Sequence, residues 1–368
     1  MLTVAGMRHS PLRHAGALLL KRRPLHLTFF VTRRCDARCP FCFSRGREQS
    51  AAPELTLAEI ARIAPTVGPL LWLSFSGGEP TLREDLPEIA AIFARHCRPV
   101  FVLLSTNGLD PARTAAAAAG LLAAAPRSTV AVKLSLDGPA EVHDRMRGVP
   151  GAHARVLESL ALLRELGARE PRLEVGINTV FCSENQGRVG EVFAEVARLP
   201  GVRTHTLSLV RGDLPDPALG AVDPSRYLAA AEALACGLRD GSQPRYRFPG
   251  ARLKAAQDVL QRRLIAQTLA RRGRVIPCHA GRLNLVLDER GELYPCEEFS
   301  LRMGNVRDHD LDVRATAASP RGREVLASIA RGDCWCTHEC YMMTNILFDL
   351  RRWPALLAEY LRLPRSGR

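Results

Sequence analysis

The 368-residue sequence predicts an α/β fold: an incomplete (β/α)6 barrel followed by a small cysteine-rich α+β domain containing a β-hairpin. Three observations predict it. Extended and helical stretches alternate from residue 24 to about 210. Several extended stretches carry one apolar and one polar face. The cysteines gather in two sets far apart in the chain.

The extended runs are Leu25–Thr32, Leu70–Ser76, Pro99–Ser105, Thr129–Leu136, Leu173–Val180 and Arg203–Leu209. Helical stretches separate them at Leu57–Pro65, Leu86–His96, Ala112–Ala125, Ala152–Leu166 and Arg188–Leu199. Strands joined by single helices pair in parallel through right-handed crossovers. Side-chain period favours a barrel with an open lumen over a flat sheet. Val130, Val132, Leu134 and Leu136 share one face, while Lys133, Ser135 and Asp137 share the other. In the next strand Leu173, Val175 and Ile177 oppose Glu174 and Asn178. A strand packed on both sides would be apolar on both.

Beyond residue 211 the pattern changes. Helices are expected near Tyr227–Leu238 and over Ala251–Arg271, and a β-hairpin within residues 281–304 turns at Gly291. Leu311–Ala330 reads as mixed, and Asn345–Leu361 as a helix interrupted by Pro354. The expected division is an N-terminal extension (1–23), a partial barrel (24–245), a helical linker (246–274), a cysteine-rich domain (275–345) and a helical tail (346–368).

Composition excludes several classes. Apolar residues make up 46% and charged residues 24%, which excludes a largely disordered chain. No apolar run approaches the length of an ordinary membrane-spanning helix. The net charge of +13 comes from scattered arginines without a basic block, so nucleic acid is not the expected partner. The apolar stretch Ala15–Leu20 is short and closed by Lys21, Arg22 and Arg23, unlike an export signal. A cytoplasmic chain of this size has no need of disulfides, so clustered cysteines read as metal ligands.

Cys35, Cys39 and Cys42 form C-x3-C-x2-C directly after the first strand. Three thiolates on one short loop can hold three irons of a cubane and leave the fourth iron open, whereas a structural zinc recruits a fourth ligand. Cys278 and Cys296 form C-x12-G-x4-C around Gly291, and Cys334, Cys336 and Cys340 form C-x-C-x3-C. These five compete for the four ligand positions of one further cluster, Cys278, Cys296 and Cys340 ahead of Cys334 and Cys336, with an S4 zinc site as the alternative. Cys97, Cys182 and Cys236 stand alone and read as small buried hydrophobes.

The loop Cys35-Asp-Ala-Arg-Cys39-Pro-Phe-Cys42 resembles the cluster loop of the radical S-adenosylmethionine (SAM) family. One βα unit later, Gly77, Gly78, Glu79 and Pro80 match that family's GGEP loop. The second cysteine set resembles the SPASM extension and its shorter Twitch relative, though fewer cysteines remain than two further clusters require.

The resemblance implies an enzyme. It would use a [4Fe-4S] cluster with an open iron, S-adenosyl-L-methionine and one auxiliary [4Fe-4S] cluster. Reductive cleavage of SAM would give a 5′-deoxyadenosyl radical that abstracts hydrogen from a substrate in the lumen. It further implies cofactor- or substrate-pocket roles for Gly77, Gly78, Glu79, Pro80, Thr106, Asn107, Ser135, Asp137 and Asn178. Arg145 or Arg147 would pair with a carboxylate. Asp137 also reads as a turn or helix cap, the arginines as solvated charge and His143 as structural. The implied partners are a peptide or protein side chain and a low-potential donor such as flavodoxin or ferredoxin. The alternatives are a small-molecule oxidoreductase, epimerase or ring-forming enzyme in cofactor or natural-product synthesis, and a non-catalytic iron–sulfur or zinc protein.

Overall fold

The computed structural model describes residues 8–44 and 52–364. Strands β1 (His26–Thr32), β2 (Trp72–Gly77), β3 (Phe101–Thr106), β4 (Thr129–Ser135), β5 (Leu173–Phe181) and β6 (Thr204–Leu209) run parallel in sequence order. Helices α1 (Leu57–Val67), α2 (Leu86–Cys97), α3 (Pro111–Ala124), α4 (Ala140–Arg147), α5 (Ala152–Arg169) and α6 (Val189–Arg198) lie between them. After β6 come α7 (Pro224–Asp240) and α8 (Ala251–Arg271). The six-strand rhythm read from sequence is therefore present, with α4 as an extra short helix before α5.

The expected hairpin is β7 (Asn284–Leu287) with β8 (Glu292–Tyr294), followed by β9 (Gly304–Asn305). It is not a freestanding unit. Residues 284–287 pair in parallel with His26–Phe29 of β1, so the barrel sheet continues into the cysteine-rich segment as nine strands, with β6 and β9 at its edges. All four β7 residues are buried, and such a non-local pairing leaves no mark on local sequence pattern.

Four further helices complete the chain: α9 (Val313–Ala317), α10 (Pro320–Arg331), α11 (Glu339–Leu347) and α12 (Trp353–Arg362). The stretch read as mixed resolves into α9 and α10, capped by the side chains of Asp312 and Ser319. The helix expected over Asn345–Leu361 is interrupted, α11 ending at Leu347 and α12 starting at Trp353, next to Pro354. Pro354 sits in the first turn of α12, where its missing N–H has no partner to lose.

Alternation positions the site. Leu27 and Phe29 of β1, Leu73 and Phe75 of β2, and Val130, Val132 and Leu134 of β4 are fully buried in one hydrophobic core. The opposite faces, including Ser74, Ser76, Lys133, Ser135 and Asn178, line a lumen instead.

Far from the lumen, Glu59 closes a capping box with Thr56 at the start of α1 and accepts a 2.6 Å bond from Arg307 Nε. That bond holds the Glu59 carboxyl down to about 2. A depressed carboxyl contributes stability that is complete above its ordinary pKa and is lost as pH falls towards 2. Urea midpoints should therefore drop between pH 5 and pH 3 more steeply for the parent than for Glu59→Gln; equal slopes would contradict this.

Candidate functional site

The loop carrying Cys35, Cys39 and Cys42 leaves the C-terminal end of β1, where barrels place their chemistry. The Cys35 and Cys39 sulfurs meet supporting groups. The Ala37 N–H points to Cys35 Sγ at 3.4 Å, and Asn107 Nδ2 lies 3.9 Å from it while donating to Asp36 at 2.6 Å. Arg147 Nη1 lies 3.8 Å from Cys39 Sγ. Burial pushes the Cys39 thiol up, and the Arg147 guanidinium pulls it back towards thiolate. Backbone and cationic donors aimed at sulfur are what a thiolate-held cluster requires.

The GGEP glycines are explained by close packing rather than by the ligand alone. A Cβ on Gly77 would lie 2.4 Å from the Thr32 carbonyl, and one on Gly78 2.3 Å from that of Arg34. Gly78 and Glu79 donate backbone bonds of 2.8 Å to Thr32 and Arg34. The loop is thereby laid against the entry to the cysteine loop, with Gly77 held at φ +132°. Glu79 is buried and accepts from Thr81 N, Thr81 Oγ1, Thr106 Oγ1 and Asn107 N. It braces the ends of β2 and β3, and Pro80 opens the short turn behind it.

One large cavity, about 910 Å³, fills the lumen. Of the residues singled out from sequence, Cys35, Cys39, Cys42, Gly77, Gly78, Glu79, Thr106, Asn107, Ser135, Arg147 and Asn178 line it. Pro80 and Asp137 do not, which corrects their placement in the pocket. Strand β4 ends at Ser135, so the alternation that would have aimed Asp137 inward has stopped. It is fully buried, paired with Arg147 Nη2 at 2.6 Å, and its Oδ1 accepts from Val180 N at 2.9 Å. Arg147 thus holds a pocket position backed by a buried carboxylate. Arg145 pairs with Glu184 at the surface, and His143 Nδ1 accepts from Asp137 N inside the fold.

Sequence reading placed Lys133 on the polar face of β4 but singled out neither its partners on the lower wall nor the side wall. Lys133 donates to Thr204 and Thr206 at 3.3 and 3.1 Å, beside Tyr246 and Lys254. Burial in the lumen, reinforced by Lys254, pulls its amine down to about 7. Tyr246 donates to Asp258 at 2.9 Å. On another wall Arg211 bonds Glu297 at 2.7 Å, and Glu297 also faces His338 Nε2 at 2.7 Å. The polar face Thr204-x-Thr206-x-Ser208 of β6 was a legible signal for part of this wall; contacts from α8 and α11 had none.

The second cysteine set divides. Burial pushes the Cys296 thiol well up, and its neighbouring sulfurs Cys336, Cys278 and Cys334 push it further. Arg274 donates to Cys334 Sγ at 3.3 Å and to the Cys334 carbonyl at 2.7 Å. Cys340 instead lines the lumen, and its leading electrostatic neighbours are Glu297, Arg211, Glu339 and Lys254. Phe43, stacked on Phe299 at 6.0 Å, packs between the two cysteine regions. Among the described residues, no three His, Cys, Asp or Glu side chains form a group suited to a single metal ion.

Comparison with known proteins gives the family context. Residues 29–196 match the radical SAM superfamily model. Fe-coproporphyrin III synthase of Methanosarcina barkeri is 32% identical over 47% of this chain, which spans only 44% of that relative's length. AdoMet-dependent heme synthase of the same organism is 28% identical over 79% of this chain and 82% of its own. PqqA peptide cyclase of Gluconobacter oxydans is 28% identical over 72% and 73%. In fold, the chain is similar to native anSMEcpe with bound AdoMet, with TM-score 0.60 and 17% identity over 92% of this chain and 99% of that one. That likeness extends through the cysteine-rich segment. The stretch 29–196 is thus similar to the radical SAM superfamily, and the relatives it matches include enzymes of heme and peptide chemistry.

Proposed function

We propose that this enzyme modifies a peptide or protein side chain held in the lumen between the Cys35/Cys39/Cys42 loop and the second cysteine set. The observation that carries this reading is the single cavity joining that loop to the Arg211–Glu297 wall and to Lys133. The similarity to a PqqA peptide cyclase over 73% of its length supports a peptide.

When bound, a [4Fe-4S] cluster on Cys35, Cys39 and Cys42 together with SAM supplies homolytic, hydrogen-abstracting chemistry. The chain's own residues do the rest. Asn107 and Arg147 support the sulfurs of the loop. Gly77, Gly78, Ser135 and Asn178, all lining the lumen, would form the wall for the bound cofactor. Lys133, poised near neutrality, holds or releases a proton at Nζ. Cys278, Cys296, Cys334 and Cys336 would hold the auxiliary cluster, whose four thiolate ligands would leave no iron open to substrate. Cys340 presents a protonated thiol to the substrate, since burial pushes it up to about 12. A cytoplasmic flavodoxin or ferredoxin would supply the electron.

A second reading, a carboxylated small molecule such as a tetrapyrrole, is favoured by the AdoMet-dependent heme synthase, whose similarity covers 79% of this chain. Co-expression with each short peptide encoded beside its gene, followed by intact mass measurement, separates the two. A SAM-dependent mass change in one peptide supports the first reading. Unchanged peptides, with 5′-deoxyadenosine formation stimulated by an iron coproporphyrin, would replace it with the second.

A further inference from the structure

The cavity does not end at the chemistry. It continues down the strands to Leu71, Trp72 and Phe101, the first residues of β2 and β3 or just before them. A barrel of this kind ordinarily plugs that end with packed side chains. Here Leu12, Leu253 and Trp353 line the cavity and are also 79%, 43% and 45% exposed. The lumen therefore has a second mouth, at the end of the barrel opposite the cysteine loop, and its lip is apolar.

That lip belongs to a larger apolar surface. Trp353, Leu357 and Leu361 recur at every fourth residue along α12 and are all exposed, while Leu356 faces the core. Arg252 donates to the Leu361 carbonyl, which ties the far end of this stripe to the start of α8 beside Leu253. Leu19 and Leu20, also exposed, follow the 3₁₀ turn Pro11–Leu18 that forms the other side of the mouth. Basic residues border these leucines. Lys21, Arg22 and Arg23 come directly after Leu20, and Arg351 and Arg352 come directly before Trp353. Lys21, Arg282 and Arg351 converge on His279, which brings the two basic segments together in space. Asp349, the acid among them, is paired with Arg351.

We propose that this end of the barrel docks on an anionic phospholipid bilayer, with the second mouth against the membrane. Single exposed leucines need no explanation, but seven exposed large apolar residues around one mouth, with cations beside them, do. Apolar residues that enter the acyl boundary beside bases that meet anionic headgroups form the pattern of an interfacial protein. The overall charge of +13 favours a negative surface over an acid-poor protein face. Among the described residues no helix is long and apolar enough to cross a membrane, so the association is peripheral. This docking is independent of which substrate the lumen takes.

The test is flotation of the reconstituted chain with phosphatidylcholine vesicles, alone or mixed with phosphatidylglycerol. The parent should float with the mixed vesicles, less so at high salt, and not with phosphatidylcholine alone. Leu357→Glu/Leu361→Glu, on exposed positions, should lower the bound fraction about tenfold with iron content unchanged. Lys21→Ser/Arg22→Ser/Arg23→Ser should lower it as well. Failure of the parent to float, or equal flotation of the variants, would overturn the proposal. So would a dimer in solution that Leu357→Glu/Leu361→Glu dissolves, because the face would then belong to a second copy.

Discussion

Cys39→Ala, reconstituted anaerobically, should lose about half of its iron and form no 5′-deoxyadenosine from SAM and dithionite. The same holds for Cys35→Ala and Cys42→Ala. The loop offers three sulfurs and no fourth donor of comparable quality, so each substitution removes a third of the ligand set. Of the three, Cys39 is the one buried against Arg147. Its loss also leaves that guanidinium facing an apolar gap, with Asp137 as its remaining ionic partner. Arg147→Lys gives a useful contrast. A lysine keeps the charge but cannot bond Asp137 through two nitrogens and reach sulfur as well. It should keep most of its iron while cleaving SAM at a reduced rate. Undiminished cleavage in any of the three cysteine variants would overturn the loop's assignment.

The second cysteine set should separate under the same measurement. Cys336→Ala should fall from about eight irons to about four while still forming 5′-deoxyadenosine, and Cys278→Ala, Cys296→Ala and Cys334→Ala should behave alike. Cys340→Ala should keep all eight or so, because its sulfur lies in the lumen wall beside Arg211 and Glu297. The two variants therefore read the auxiliary site independently of substrate. Iron loss in Cys340→Ala with full iron in Cys336→Ala would exchange the two residues' roles. Stoichiometric zinc in place of iron would remove the auxiliary cluster from the account.

How much of this was legible in the sequence follows from how local each signal was. The cysteine loop and GGEP could be read because the chemistry fixes their spacing within a few residues, and the βα rhythm fixes their distance from each other. The polar faces of β4 and β5 were legible for the same reason. Asp137 marks where period-2 reasoning stops: it extrapolated one residue pair beyond the end of β4, and the chain had already turned to bury the carboxylate. Spacing favoured Cys340 and left Cys334 and Cys336 open, and the ligand set proposed above reverses that order. The choice turns on α11 beginning at Glu339, which puts Cys340 on a helix facing the lumen while the other two lie in the segment before it. The pairing of β7 with β1, and the meeting of Lys133 with Tyr246 and Lys254, join segments more than a hundred residues apart. No local pattern records them.

The central claim is that Cys35, Cys39 and Cys42 at the end of β1 would hold a redox cluster that, with SAM, supplies radical chemistry in the lumen they line. The most direct measurement is 5′-deoxyadenosine formed per chain by the fully reconstituted parent, given SAM and dithionite under anaerobic conditions. At least one equivalent per chain, absent without reductant, is the predicted result. Intact SAM in protein whose iron is fully loaded and reduced would contradict it.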